Sequence, residues 1–154
     1  MPPRVAIVIV TYDSERHVDA CLRSLAAARL EPGSVMVVDN ASTDATVGRV
    51  RDGFPWVELI ECDRNRGFAG GNNVGIRRAL ERGAEYVYLL NPDTIVDPEF
   101  LREAVAVAEA DPRVATVQSL LLLAARPDRI NTAGNGINFL GYGYVRSYDA
   151  HRAS

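Results

Sequence analysis

Short, almost wholly apolar runs recur along this chain, separated by longer amphipathic stretches, and that alternation narrows the choice of fold more than any other feature. Within Arg4–Val10 (RVAIVIV) the apolar run is continuous, the pattern of a strand covered on both faces. Thr11–Ser14 supplies turn and N-cap chemistry. Val18, Cys21, Leu22 and Leu25 then fall at helical i, i+3, i+4, i+7 spacing, and Glu31-Pro32-Gly33 stops that helix. Ser34–Val38 (SVMVV) reads as a second buried strand. Asp39–Asp44 (DNASTD) is a polar turn that opens a helix over about 44–52, and Trp56–Cys62 (WVELIEC) is a third strand. Asp63–Gly71 reads as a glycine-containing loop before a helix near Asn72–Arg82. Ala84–Leu90 (AEYVYLL) is the fourth strand, and Asn91-Pro92-Asp93-Thr94 breaks it. Pro98–Ala110 is a helix with proline at its start, and Arg113–Leu123 is a further strand candidate.

Strands and helices in this order predict an α/β fold, a mostly parallel sheet with helices on both faces joined by right-handed crossovers. Ligands of such sheets bind at the carboxyl ends of the strands, near the topological switch point. Thr11–Ser14, Asp39–Asp44 and Asn91–Asp93 all fall there. A length of 154 residues suits a single domain, with an ordered core over about 4–123. From Arg126 the periodicity fails: Asn131–Tyr144 (NTAGNGINFLGYGY) shows neither period, so 126–154 is expected to be irregular or to face a partner.

Several functions are disfavoured. The net charge of −3 provides no basic field for nucleic acid. The longest apolar stretch, around Ser119–Ala125, falls far short of the roughly 20 residues of a membrane span. The N-terminus lacks the pattern of a secretory signal, so the default location is the cytoplasm. Cys21 and Cys62 form no CxxC pair and read as buried thiols. His17 and His151 are isolated, there is no GxSxG elbow, and Thr11–Glu15 lacks the glycines of a dinucleotide turn. All 17 basic residues are arginine, the mark of a GC-rich coding genome.

Three clusters can carry chemistry, each with a plainer alternative. Asp39, at a strand end, is placed either to accept a hydrogen bond from a ribose hydroxyl or a base N–H, or to cap its own turn. Asn65–Gly75 (NRGFAGGNNVG) holds four glycines beside Arg64 and Arg66. Glycines ahead of a helix allow close approach of an anion or nucleotide, and equally a tight turn or close helix packing. In Asn91-Pro92-Asp93, the carboxylate suits a hard divalent ion whose other ligands are substrate phosphates; the alternative is an Asx-type turn with no ion.

Taken together, residues 5–25 (VAIVIVTYDSERHVDACLRSL), 35–46 (VMVVDNASTDAT), 65–79 (NRGFAGGNNVGIRRA) and 88–98 (YLLNPDTIVDP) resemble the family 2 glycosyltransferases, which use nucleotide-sugar donors on the Rossmann-like GT-A fold. The resemblance covers about residues 4–118. The wording NPDT and GFAGGNN is most similar to bacterial rhamnosyltransferase-type members that build cell-wall and surface polysaccharides. The resemblance implies that Thr11 and Tyr12 line the base pocket, with Asp39 accepting from the base and Asn40 beside it. Gly70 and Asn73 would lie along the nucleotide-sugar path. Asn91-Pro92-Asp93 stands for the family's DxD motif, with Asp93 holding Mg²⁺ or Mn²⁺ against the donor diphosphate and Asn91 serving the donor's ribose or sugar. The implied partners are a UDP-, dTDP- or GDP-linked sugar and a glycan or lipid-linked acceptor, at the inner face of the membrane.

Two departures matter. Asn91 replaces the first DxD carboxylate, and Asp13 stands where the family commonly has asparagine. The family's general base belongs to a later acidic motif, so no catalytic residue is expected here and the base is expected beyond residue 154. The chain reads as a donor-binding half of an inverting transferase; the alternative is a catalytically silent nucleotide-binding module or a structural half needing a partner chain. An uncovered surface on such a half suggests self-association through Phe139, Leu140, Tyr142 and Tyr144.

Overall fold

The computed structural model describes residues 4–28, 30, 33–137 and 143–152. The chain divides into two compact units, Met1–Pro98 and Glu99–Ser154, where the sequence suggested one domain.

The first unit carries a parallel sheet of β1 (Val5–Thr11), β2 (Val35–Asp39), β3 (Glu58–Glu61) and β4 (Tyr86–Leu90) in the order β3-β2-β1-β4. Helices α1 (Val18–Ala26), α2 (Thr46–Gly53) and α3 (Gly67–Glu81) make the crossovers. β1 and β2 are central and buried almost along their whole length, which is why their sequences are continuously apolar. Side chains alternate between the two faces. Val8, Val10 and Val38 pack on one face with Val74 of α3, while Ile7, Ile9, Val35 and Val37 point the other way and are fully buried. Val18, Cys21, Leu22 and Leu25 are the buried face of α1, as their spacing predicts.

Helix α3 begins at Gly67, five residues ahead of the expected Asn72, so most of the glycine-rich segment is helical and not a loop. Two of its four glycines, Gly71 and Gly75, face the sheet. A Cβ on Gly71 would stand 2.7 Å from Val10 Cγ1, and one on Gly75 would collide with both methyls of Val8 and crowd Val38. The absence of those side chains lets the helix axis lie close against β1 and β2. Of the alternatives for this segment, close packing is the one these two glycines serve.

The second unit contains α4 (Phe100–Ala110) and four short strands: β5 (Leu121–Leu123), β6 (Arg126–Thr132), β7 (Asn135–Ile137) and β8 (Gly143–Val145). β5 pairs antiparallel with β6, and β7 with β8. The strand candidate over 113–123 shrinks to its last three residues and does not join the parallel sheet; the region expected to be irregular or to face a partner holds β6 to β8. β6 (RPDRINT) escaped detection because its polar and charged residues face outward and only Ile130 and Thr132 are buried. Phe139, Leu140 and Tyr142 lie outside the described residues. No helix among the described residues is long and apolar enough to cross a membrane.

Candidate functional site

Sheet order places the switch point between β1 and β4: the chain runs outward through β2 and β3, then returns to the far side of β1. Thr11 pairs in register with Asp39, and Ile9 with Leu90, so the three loops that follow leave the sheet side by side. With neighbouring strands about 4.8 Å apart, the tips of β2, β1 and β4 fall within about 10 Å. The sheet thus brings together the three polar clusters that the sequence set at its carboxyl edge.

The site residues divide into a buried group and an exposed group. Thr11 is fully buried and its hydroxyl donates to Asp39 Oδ1 at 3.0 Å. Asp39, also buried, accepts from Ser42 N–H at 2.9 Å through Oδ2 and from the Ser42 hydroxyl through Oδ1. Its carboxylate therefore caps its own turn through the backbone and hydroxyl of Ser42, three residues on, with most of its acceptor capacity occupied. Asn40 is equally enclosed. Its Nδ2 donates to Asn65 Oδ1 at 2.9 Å and to the Gly67 carbonyl at 3.1 Å, and its Oδ1 accepts from Arg66 N–H at 2.9 Å. That side chain fixes the entry to α3, with both its amide donors engaged.

Tyr12, Asn73, Asn91 and Asp93 form the exposed group. Tyr12 is 51% exposed. Among the described residues none of these four side chains makes a hydrogen bond or ion pair with its polar end. Gly70 lies in the first turn of α3, half-buried, where a Cβ would stand 2.8 Å from Arg66 Cβ. Arg66 pairs with Asp63 at 2.7 Å, and that hydrogen bond holds the Asp63 carboxyl below its ordinary range; Arg64 is exposed.

Asp93 sits in a turn closed by Thr94 N–H donating to the Asn91 carbonyl at 3.2 Å. Beneath it lies Cys21 of α1, whose thiol is pushed from the ordinary 9.0 up to about 12, by burial first and then by the negative charge of Asp93. Among the described residues there is no group of three or more His, Cys, Asp or Glu arranged for a metal. An ion completed by substrate phosphates needs only one or two protein carboxylates, and the exposed Asp93 can supply one.

Ser42, Asn65 and Thr46 support the site although the sequence reading assigned them nothing. Asp39-x-x-Ser42 carries a local turn signal. Asn65 and Thr46 act across 25 and 32 residues respectively, beyond the reach of any local pattern.

Comparison with known proteins agrees with this architecture. The chain is 37% identical over 114 residues to the succinoglycan biosynthesis protein ExoO of Rhizobium meliloti, covering 70% of this chain and 30% of that protein. It is 33% identical over 104 residues to the dTDP-rhamnosyl transferase RfbF of Shigella flexneri, covering 67% and 34%. Among solved structures, the mannosyltransferase PcManGT from Pyrobaculum calidifontis, in complex with GDP-Man and Mn²⁺, superposes with a TM-score of 0.61 at 28% identity. That match covers 74% of this chain and 34% of the mannosyltransferase. TarS 1–349 of S. aureus gives a TM-score of 0.60 at 27% identity, covering 70% and 32%. The chain thus spans about a third of the length of the curated relatives it matches. These solved neighbours share the fold, and the family profile covers residues 6–136: the chain belongs to glycosyl transferase family 2.

Proposed function

We propose that the chain binds a nucleotide-diphosphate sugar at the carboxyl ends of β1, β2 and β4, as the donor-binding part of an inverting glycosyltransferase of cell-wall or surface-glycan synthesis. One observation carries this reading. Tyr12, Asn91 and Asp93 stand exposed at adjacent strand tips, beside a hydrogen-bonded set of buried Thr11 and Asp39 and half-buried Ser42 that ties the tip of β1 to the loop after β2.

In this reading Tyr12 lies against the nucleotide base. Asp39 reaches the base N–H by exchanging it for the Ser42 hydroxyl, while Thr11 keeps the carboxylate in place. Asn40 acts by holding the start of α3, so that Gly70 and Asn73 flank the diphosphate-sugar path. Asp93 holds Mg²⁺ or Mn²⁺ with help from Asn91; when bound, the ion stabilises negative charge on the departing nucleoside diphosphate. The reaction itself is attack of an acceptor hydroxyl on the anomeric carbon as the bond to the diphosphate breaks, its electron pair leaving with the nucleoside diphosphate and the hydroxyl proton passing to a general base. The acceptor in this reading is a glycan or a lipid-linked saccharide, the latter met at the cytoplasmic face of the membrane.

Support comes from relatives named as rhamnosyl and hexosyl transferases and from a neighbour solved with GDP-Man and Mn²⁺. Isothermal titration with UDP-, dTDP- and GDP-sugars, with and without Mn²⁺, tests it. One nucleotide class is expected to bind, and more tightly with the ion. Absence of heat for every donor at millimolar concentration refutes the reading.

A further inference from the structure

The tip of β1 is fastened to the loop after β2 by hydrogen bonds that prolong the strand pairing past its last backbone partners, Thr11 and Asp39. Asp13, Ser14 and Glu15 each donate a backbone N–H to a side chain of that loop. The acceptors are Ser42 Oγ at 2.9 Å, Thr46 Oγ1 at 2.8 Å and Asp44 Oδ2 at 3.0 Å. Two carboxylates return the bond: Thr43 N–H donates to Asp13 Oδ1 at 2.7 Å, and Ala45 N–H to Glu15 Oε2 at 3.2 Å.

The network converges on Tyr12. Ser14 is buried, and its hydroxyl accepts from Tyr12 N–H at 3.2 Å and donates to the Tyr12 carbonyl at 3.1 Å. Both main-chain polar groups of Tyr12 are therefore held by a residue anchored in turn on Thr46, which is fully buried at the start of α2. Asp13 itself adopts φ +45°, a left-handed conformation that a non-glycine residue keeps only when its surroundings enforce it. A fixed backbone carrying a free ring is pre-organised for stacking, because the ordering cost is met before any ligand arrives.

We infer that Asp13, Ser14 and Glu15 are positioning residues for Tyr12: they pin the β1–α1 loop to the β2–α2 loop so that the ring stands ready for a nucleotide base. This rests on the nucleotide-site reading above. Asp13 is the most informative position, because it is exposed and its Oδ1 does the work. Asp13→Asn keeps an acceptor oxygen and tolerates positive φ, whereas Asp13→Ala does neither.

The test is a double-mutant cycle on affinity for UDP, dTDP and GDP, measured by titration calorimetry, together with amide hydrogen exchange of the free protein. Asp13→Ala is expected to weaken binding roughly three- to tenfold, the effect of one lost hydrogen bond, and Asp13→Asn to restore it. In a Tyr12→Ala background, Asp13→Ala should cost nothing further; an equal loss in both backgrounds overturns the inference. Exchange at Thr43, Ser14 and Glu15 should accelerate in Asp13→Ala and stay slow in Asp13→Asn. Unchanged exchange in Asp13→Ala also overturns it. If the unaltered chain binds no nucleoside diphosphate, the nucleotide reading falls, while exchange still decides whether Asp13 fixes the loop.

Discussion

At the scale of single residues, the site separates side chains that build from side chains that are free to bind. Asp93 belongs to the second kind: exposed and unpartnered among the described residues, it contributes little to the fold. Asp93→Ala should abolish the Mn²⁺-dependent part of donor binding while shifting stability by no more than about 0.5 kcal/mol, the usual range for a surface substitution. Calorimetry and urea melts of the same sample check both halves. Cys21 belongs to the first kind. The fold favours its neutral thiol, raised from 9.0 to about 12, so its contribution is complete below the pKa of the unfolded thiol and disappears as pH climbs through that interval. Stability should therefore fall between about pH 9 and 12, and the fall should be shallower in Cys21→Ala. A pair of matched pH–stability curves isolates this effect from tyrosine titration. The sequence marks Asp39 and Asp93 equally as acidic residues at strand ends. Only the structure separates them, because burial and the Ser42 partner depend on how the loop folds back.

At the scale of elements, α3 is the informative case. Its glycine-rich start reads as a loop because glycine lowers helix propensity by about 1 kcal/mol per residue relative to alanine. Contact with the sheet overrides that preference. Gly75→Ala should therefore destabilise the protein, by about 1–3 kcal/mol, since the new methyl meets Val8 and Val38 and forces the helix off β1. Gly48→Ala on α2 has nothing within 4 Å of the new carbon and should stabilise by up to about 1 kcal/mol. Two glycine-to-alanine changes of opposite sign, read from chemical denaturation, separate packing from propensity. Close packing also keeps the glycine motif tied to the site, since α3 carries Asn73 and its first turn is anchored by Asn40.

At the scale of the whole molecule, burial is concentrated in the first unit. β1 and β2 hold most of the fully buried side chains, whereas the described buried residues after Pro98 are Ile130 and Thr132, and α4 buries none. Hydrogen exchange should report this directly: amides of β1 and β2 should open only with global unfolding, and those of β5 to β8 at much lower free energy. Equal protection in both units would contradict that ranking. The sequence alone determined the parallel sheet, the positions of α1 and α2, and the setting of three polar clusters at strand ends. All of these follow from local periodicity and short-range turn chemistry. Tertiary structure alone decided that the glycine run is helical, that Asp39 and Asn40 are enclosed while Tyr12 and Asp93 are not, and that β5 with β6 and β7 with β8 form antiparallel pairs. The helical glycine run and the enclosure of Asp39 and Asn40 depend on partners tens of residues away, which leave no period to be read; the antiparallel strands pair locally but are too short and too polar on their outer side to show one.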